Sequence, residues 1–195
     1  MSKIMKDVSW NLFSQVIPAI TAIFCIPLLV DKAGLEIFGI ITLVWALINY
    51  AGILDFGVSK VLTKMVAESR NELGKARNIA LIGMMLMIVF GILVAGLIIS
   101  FKSIIVSGIY NSSINPSELS ALVIVVAFAS FAVCISNGLR GILEGHEEFA
   151  IVAFVRTPMT VWSFVSPLVV LPFSNNLAML ILPLVIARVL VCLIF

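Results

Sequence analysis

Charge is scarce in this chain. Of its 195 residues, 11% are Asp, Glu, Lys or Arg and 62% are hydrophobic, whereas a soluble domain carries about 25% charged and about 45–50% apolar residues. Twelve basic and ten acidic residues cannot coat a globule of 21.1 kDa, so a soluble core-and-shell domain is excluded. A mean hydropathy of +1.24 excludes disorder for the opposite reason. The net charge is only +2, and no aromatic residues interleave with a basic stripe, which argues against a nucleic-acid binder. Histidine occurs once, as His146, and the three cysteines, Cys25, Cys134 and Cys192, each stand alone inside an apolar run. That spacing forms neither a disulfide framework nor a metal knot, and the cysteines read as small buried apolar residues. No phosphate loop, nucleophile elbow or pair of acids at membrane depth is present. Asp55-Phe56-Gly57 lacks every companion of the kinase motif it imitates. Glu144-Gly145-His146-Glu147-Glu148 reads as a solvated turn, because one imidazole among flexible carboxylates is a poor metal site. Covalent catalysis, a metal and a cofactor are therefore not expected.

What the chain has is long apolar runs. About 20 mostly apolar residues cross the hydrocarbon core as a helix, and six stretches qualify: 10–30, 38–54, 79–101, 120–139, 149–171 and 177–195. They are continuously apolar and lack the alternation of barrel strands. The expected fold class is an all-α polytopic transmembrane bundle, with one six-span lobe covering residues 1–195. The first run is longer than the apolar part of a leader peptide, and no small-x-small site follows it, so it reads as a retained helix. Lys3, Lys6, Lys60, Lys64, Arg70, Lys75, Arg77 and Arg140 fall at the N-terminus and in the even-numbered loops, and only Lys32 and Lys102 in the odd-numbered ones. By the positive-inside rule the N-terminus is cytoplasmic.

The connections are short. In 55–78, Val61, Leu62, Met65, Val66 and Leu73 recur at near-helical spacing among Lys60, Lys64, Arg70 and Lys75. Two readings are open: an amphipathic helix on the inner membrane surface, or charges that only enforce orientation. Residues 102–118 read as a polar turn region, and Asn111-Ser112-Ser113 fits a glycosylation sequon too common to use alone.

Two arginines do not belong in lipid. Arg156 lies about seven residues, or about 10 Å, into the fifth span, and Arg188 about eleven residues, or about 16 Å, into the sixth. Both then fall in the inner half of a core about 30 Å thick. A charged arginine near the bilayer centre costs at least about 2.5–3.5 kcal/mol and normally faces water or a partner. The ten acids, Glu144 included, all sit at span ends or in loops in this reading, so no carboxylate is expected at that depth. Either the arginines make a cationic cavity, or they bond backbone carbonyls or snorkel to the surface. Polar stripes on the first two spans, Asn11-Ser14-Gln15-Pro18 and Thr42-Trp45-Asn49-Gly52, either join helices or line the same cavity. The cavity candidates are therefore Arg188, Arg156, Asn11, Gln15 and Asn49. Gly83, Gly91, Ala95 and Gly96 suit close packing of the third span. Pro18, Pro27, Pro158, Pro167 and Pro183 permit bends, and one at Pro158 would aim Arg156.

Several short stretches together resemble a known family. They are Asn11 ahead of a proline-bearing helix ending Pro27-Leu28-Leu29; Gly34-Leu35-Glu36-Ile37-Phe38-Gly39; Leu54-Asp55-Phe56-Gly57-Val58; Lys60, Lys64 and Glu68; and Gly138-Leu139-Arg140-Gly141-Ile142-Leu143-Glu144-Gly145 before Phe149. In these the chain resembles the Wzx-type O-antigen and polysaccharide-repeat flippases of the multidrug/oligosaccharidyl-lipid/polysaccharide exporter superfamily. The resemblance implies transport of an undecaprenyl-diphosphate-linked oligosaccharide across the bacterial inner membrane, without covalent chemistry. It also implies two six-helix lobes around a central cavity, of which this chain matches the N-terminal one. The expected partners are membrane lipid and the lipid-linked substrate, with either a homodimer or a separate C-terminal half completing the cavity. Three alternatives stay open: an exporter of cationic drugs from the same superfamily, a small membrane enzyme acting on lipid-linked sugars, and an inactive membrane fragment. The first of these wants an anionic cavity, opposite in sign to two buried arginines. The second lacks acid–base residues.

Overall fold

A backbone surrounded by hydrocarbon must satisfy its own N–H and C=O groups, which continuous helices do. The computed structural model of the protein describes residues 3–51, 57–109, 116–173 and 176–194. All regular structure among them is α-helical: α1 (Lys3–Ala51), α2 (Val58–Glu68), α3 (Leu73–Ser100), α4 (Lys102–Ile109), α5 (Pro116–Gly145), α6 (Phe149–Val170) and α7 (Leu177–Ile194). The sequon Asn111-Ser112-Ser113, Gly52 and most of Leu54-Asp55-Phe56-Gly57 lie outside the described residues.

Four of these helices, α1, α3, α5 and α6, are long and apolar enough to cross a membrane, and α7 is a shorter apolar helix. This is a membrane protein. The apolar stretch of α1 covers 42 residues, about twice what one crossing needs, and it is not one straight rod. Gly34 adopts φ 80°, ψ 161°, a conformation that glycine tolerates and other residues rarely adopt. It divides α1 into an arm over 3–33 and an arm over 35–51. The residues expected to form two spans with a short connection are thus two helical arms joined at one non-helical residue.

The central element is α5, which packs against each of the other six helices. Of its most apolar stretch 56% is buried, against 17–22% in α1, α3 and α6. Its first half joins Leu29, Ile41 and Ile48 of α1 and Leu177 and Leu180 of α7 in the main core through Leu119, Leu122 and Val126. By contrast α3 is apolar all round, and Ile82, Met85, Val89 and Ile92 on its free face are exposed, as a lipid-facing helix requires.

Two expectations need correction. The fourth span, read as 120–139, belongs to a helix that runs on to Gly145, so Arg140 and Glu144 are helical and not loop residues. The stretch read as a plain outer turn contains α4, over Lys102–Ile109. The basic stretch 58–68 is a helix, as one of the two readings had it, and it is docked against α5 and α3 through the buried Leu62 and Val66, while Val61 and Met65 stay exposed. Glycines make that docking possible. A Cβ on Gly141 would stand 2.8 Å from the Ser59 carbonyl oxygen, and one on Gly145 2.9 Å from that of Thr63. Gly83 and Gly91 of α3 are also closely packed, whereas Gly96 meets nothing.

Candidate functional site: a cationic cleft

The cleft is built from five helices. The second arm of α1 supplies Trp45 and Asn49, α2 supplies Ser59, Lys60 and Thr63, and α5 supplies Ser136, Asn137, Arg140 and Glu144. From α6 come Arg156, Thr160, Ser163 and Phe164, and from α7 Arg188 and Val191, around a volume of about 580 Å³. Trp45 meets Phe164 edge to face, with ring centroids 5.0 Å apart and planes at 75°, which ties α1 to α6 at the wall. On the opposite side Ser136 lies 3.2 Å from Cys192 Sγ, and Cys192 donates to the Ala132 carbonyl at 3.4 Å, which ties α7 to α5.

Among the described residues four basic ones line this space, Lys60, Arg140, Arg156 and Arg188, against one acid, Glu144. Arg140 Nε donates to Glu144 Oε1 one helical turn away, and Lys60 Nζ stands 3.9 Å from Glu144 Oε2. The carboxylate side chain is 13% exposed and that of Lys60 is 75% exposed, so the acid is inside and the lysine is at the rim. Neither Arg156 nor Arg188 forms a salt bridge among the described residues. Arg188 Nε is buried without a hydrogen-bond partner, a condition that only Ser166 Oγ shares among the described residues. A buried donor left unpaired costs about 1–3 kcal/mol, so such groups are rare unless water, an ion or a ligand completes them.

The helices carry Arg156 and Arg188 to one place for reasons visible in their local sequence. Around Pro158, Thr157 Oγ1 donates to the Ala153 carbonyl at 2.7 Å and Thr160 Oγ1 to that of Arg156 at 2.9 Å. Back-bonds of this kind beside a proline that offers no N–H favour a bend in α6 at the level of Arg156. In α7, the Pro183 carbonyl accepts from Trp162 Nε1 at 3.3 Å. That contact fixes α7 on α6 about one and a half turns before Arg188.

Of the five residues picked from sequence, the structure brings together Arg156, Arg188 and Asn49. Asn11 and Gln15 are not among the lining residues. They are exposed on the first arm of α1, where Gln15 Nε2 donates to Asn11 Oδ1 at 3.2 Å, while Ser14 of the same stripe is buried and donates to the Asn11 carbonyl. Glu144, at the end of α5, lines the same cleft as the two arginines, a neighbour the sequence reading did not assign to them. Its signal was the Arg140-x-x-x-Glu144 spacing, which pairs side chains only if the helix continues. Lys60 was hidden among orientation charges. His146 sits in the turn after α5 with Nδ1 2.9 Å from the Ile142 carbonyl oxygen, and no cluster of three metal-ligating side chains occurs among the described residues.

Over 95% of its length the chain is similar, at 29% identity, to a protein of Shigella flexneri named "Putative O-antigen transporter". It spans 44% of that protein's length. No family model and no solved structure matches the chain.

Proposed function

We propose, from the premise that this chain is related to the Wzx-type polysaccharide-repeat flippases, that it forms one lobe of a flippase for an undecaprenyl-diphosphate-linked oligosaccharide. In this reading the six apolar segments span the bacterial inner membrane with the N-terminus cytoplasmic. The cleft then opens from the cytoplasmic half of the lobe, where the substrate is loaded. Transport requires no covalent step. The charged diphosphate must cross about 30 Å of hydrocarbon, and a hydrated cationic cleft lowers the desolvation cost while the lipid tail stays in the bilayer. Guanidinium groups suit the task because they bind phosphate oxygens in bidentate fashion.

The observation that carries the reading is the pairing of Arg156 and Arg188 in one cleft, both without a salt bridge and Arg188 with a buried, unsatisfied Nε among the described residues. We assign the diphosphate contact to Arg188, with Arg156 as second contact and Asn49 as a polar group of the same wall. The sign of the cleft disfavours a cationic drug. A second lobe, supplied by more of the same polypeptide, a separate half or a second copy, completes the cavity in this reading. The shorter span of the chain relative to its Shigella relative supports that addition.

The test is surface polysaccharide in a strain that depends on this gene. Arg188→Glu in the full-length protein is expected to abolish it at unchanged protein level in the membrane. Normal surface polysaccharide with that variant would remove Arg188 from the mechanism.

A further inference from the structure

The four basic groups of the cleft are not equivalent. Arg140 is taken by Glu144 and Lys60 is shared at the rim, while Arg156 and Arg188 are in no salt bridge among the described residues. The carboxylate cannot easily leave. It is one turn from Arg140 on the same helix face, and Lys60 reaches it because α2 is pressed onto the Gly141 and Gly145 face of α5. A fixed carboxylate in a cationic cleft acts twice on an incoming anion. It occupies a guanidinium that would otherwise bind, and it repels the anion directly.

We propose that Glu144 is a specificity-determining residue of the cleft: an internal carboxylate that holds Arg140 back and thereby keeps the grip on a phosphate-type anion weak enough for release. This rests on the anion-binding reading above. A carrier must bind strongly enough to load and weakly enough to unload, the constraint that also governs ion conduction. Three unopposed guanidinium groups would load well and unload poorly. With Glu144 in place, Arg156 and Arg188 do the holding, and the anion exchanges against a cleft that already has its own carboxylate. A purely structural role for Glu144 makes the opposite prediction, since breaking a structural ion pair loosens a site.

The experiment uses the full-length protein in detergent, titrated calorimetrically with inorganic pyrophosphate, and in liposomes with lipid-linked substrate. Glu144→Gln keeps the side-chain size and an acceptor for Arg140 Nε while removing the charge. Pyrophosphate is expected to bind about tenfold more tightly, with both KM and kcat for flipping lowered. Unchanged or looser binding overturns the proposal. The double variant Arg140→Gln with Glu144→Gln restores the original net charge and is expected to bind within about twofold of wild type. Retention of the full gain there also overturns it, because the gain would not come from releasing Arg140. Should Glu144→Gln fail to fold, Arg140→Gln alone leaves Glu144 without its main partner. It is expected to loosen pyrophosphate binding about tenfold, and unchanged binding counts against the proposal. An Arg188→Ala arm separates the two levels. If it leaves pyrophosphate binding unchanged, the anion-binding reading itself fails. If it loosens binding while Glu144→Gln changes nothing, only the role of Glu144 fails.

Discussion

Arg140 and Glu144 stand one turn apart near the end of α5, and the guanidinium Nε donates to the carboxylate inside the cleft that Arg188 also lines. The pair has a consequence for Arg188. Among the described residues the one acid lining the cleft is engaged by Arg140 and Lys60, so the charge of Arg188 is left for something that enters from outside.

Charge alone and guanidinium geometry can be separated at Arg188. Arg188→Lys keeps the charge and loses the fork, so a partial loss of flipping is expected. Arg188→Ala is expected to abolish flipping while inserting into the membrane as well as wild type or better, because the cost of burying the charge disappears. Quantitative blotting of membranes beside a flipping assay reads both. Full activity of the alanine variant contradicts the assignment.

The docking of α2 depends on two glycines that meet backbone. Gly145→Ala is expected to destabilise the protein by about 1–3 kcal/mol, since its Cβ would crowd the Thr63 carbonyl and Val66. Gly96→Ala meets nothing within 4 Å and is expected to be neutral or stabilising by about 0.5–1 kcal/mol through helix propensity. Thermal unfolding in detergent compares the two. Equal shifts would mean that the close approach of α2 and α5 is not what Gly145 serves.

The turn between α5 and α6 holds a non-glycine residue in the left-handed region. Glu147 has φ 63°, and Glu148 N–H donates back to the Leu143 carbonyl at 3.0 Å, the reverse-turn closure that usually places glycine at this position. Arg70 Nη1 meets Glu147 Oε1 at 2.9 Å, both side chains nearly half exposed. Glu147→Gly and Glu147→Ala both lose the ion pair, but only glycine relieves the backbone. The glycine variant is expected to be more stable than the alanine variant by about 1–2 kcal/mol, read as a difference in unfolding midpoint. An alanine variant at least as stable as the glycine one contradicts this account of the turn.

The orientation proposed for the lobe predicts a labelling pattern. Single cysteines placed at Lys75 and Glu147, in a background without the three native ones, are expected to react with an impermeant thiol reagent only from the cytoplasmic side. One at Asn111 is expected to react only from outside. Labelling of Lys75→Cys from outside would invert the lobe and move the cleft to the other leaflet.

Completion of the cavity by a second lobe is tested with the 195-residue chain itself. It is expected to support flipping in liposomes only as a dimer or with a partner polypeptide. Flipping by a monodisperse monomer would rule this out.

Apolar run length carried the all-helical, membrane-embedded character of the fold. A helix in hydrocarbon is dictated by its own backbone, so the runs in α6 and α7 could be read locally to within a residue of their observed ends, while α3 begins six residues before its run. The oddity of Arg156 and Arg188 was legible for the same reason, because their cost depends on the medium and not on neighbours. The tertiary structure decided what could not be local. It decided that Asn49 faces the arginines while Asn11 and Gln15 face outward, since either polar stripe satisfies the same periodicity and only packing selects one. It decided that α5 continues past the apolar run to Gly145, because the packing of α2 on Gly141 and Gly145 holds those last turns in place. Through that continuation Glu144 moved from a loop into the cleft. Composition could count the charges, but which of them neutralise each other depends on distances of a few ångströms between helices far apart in the chain.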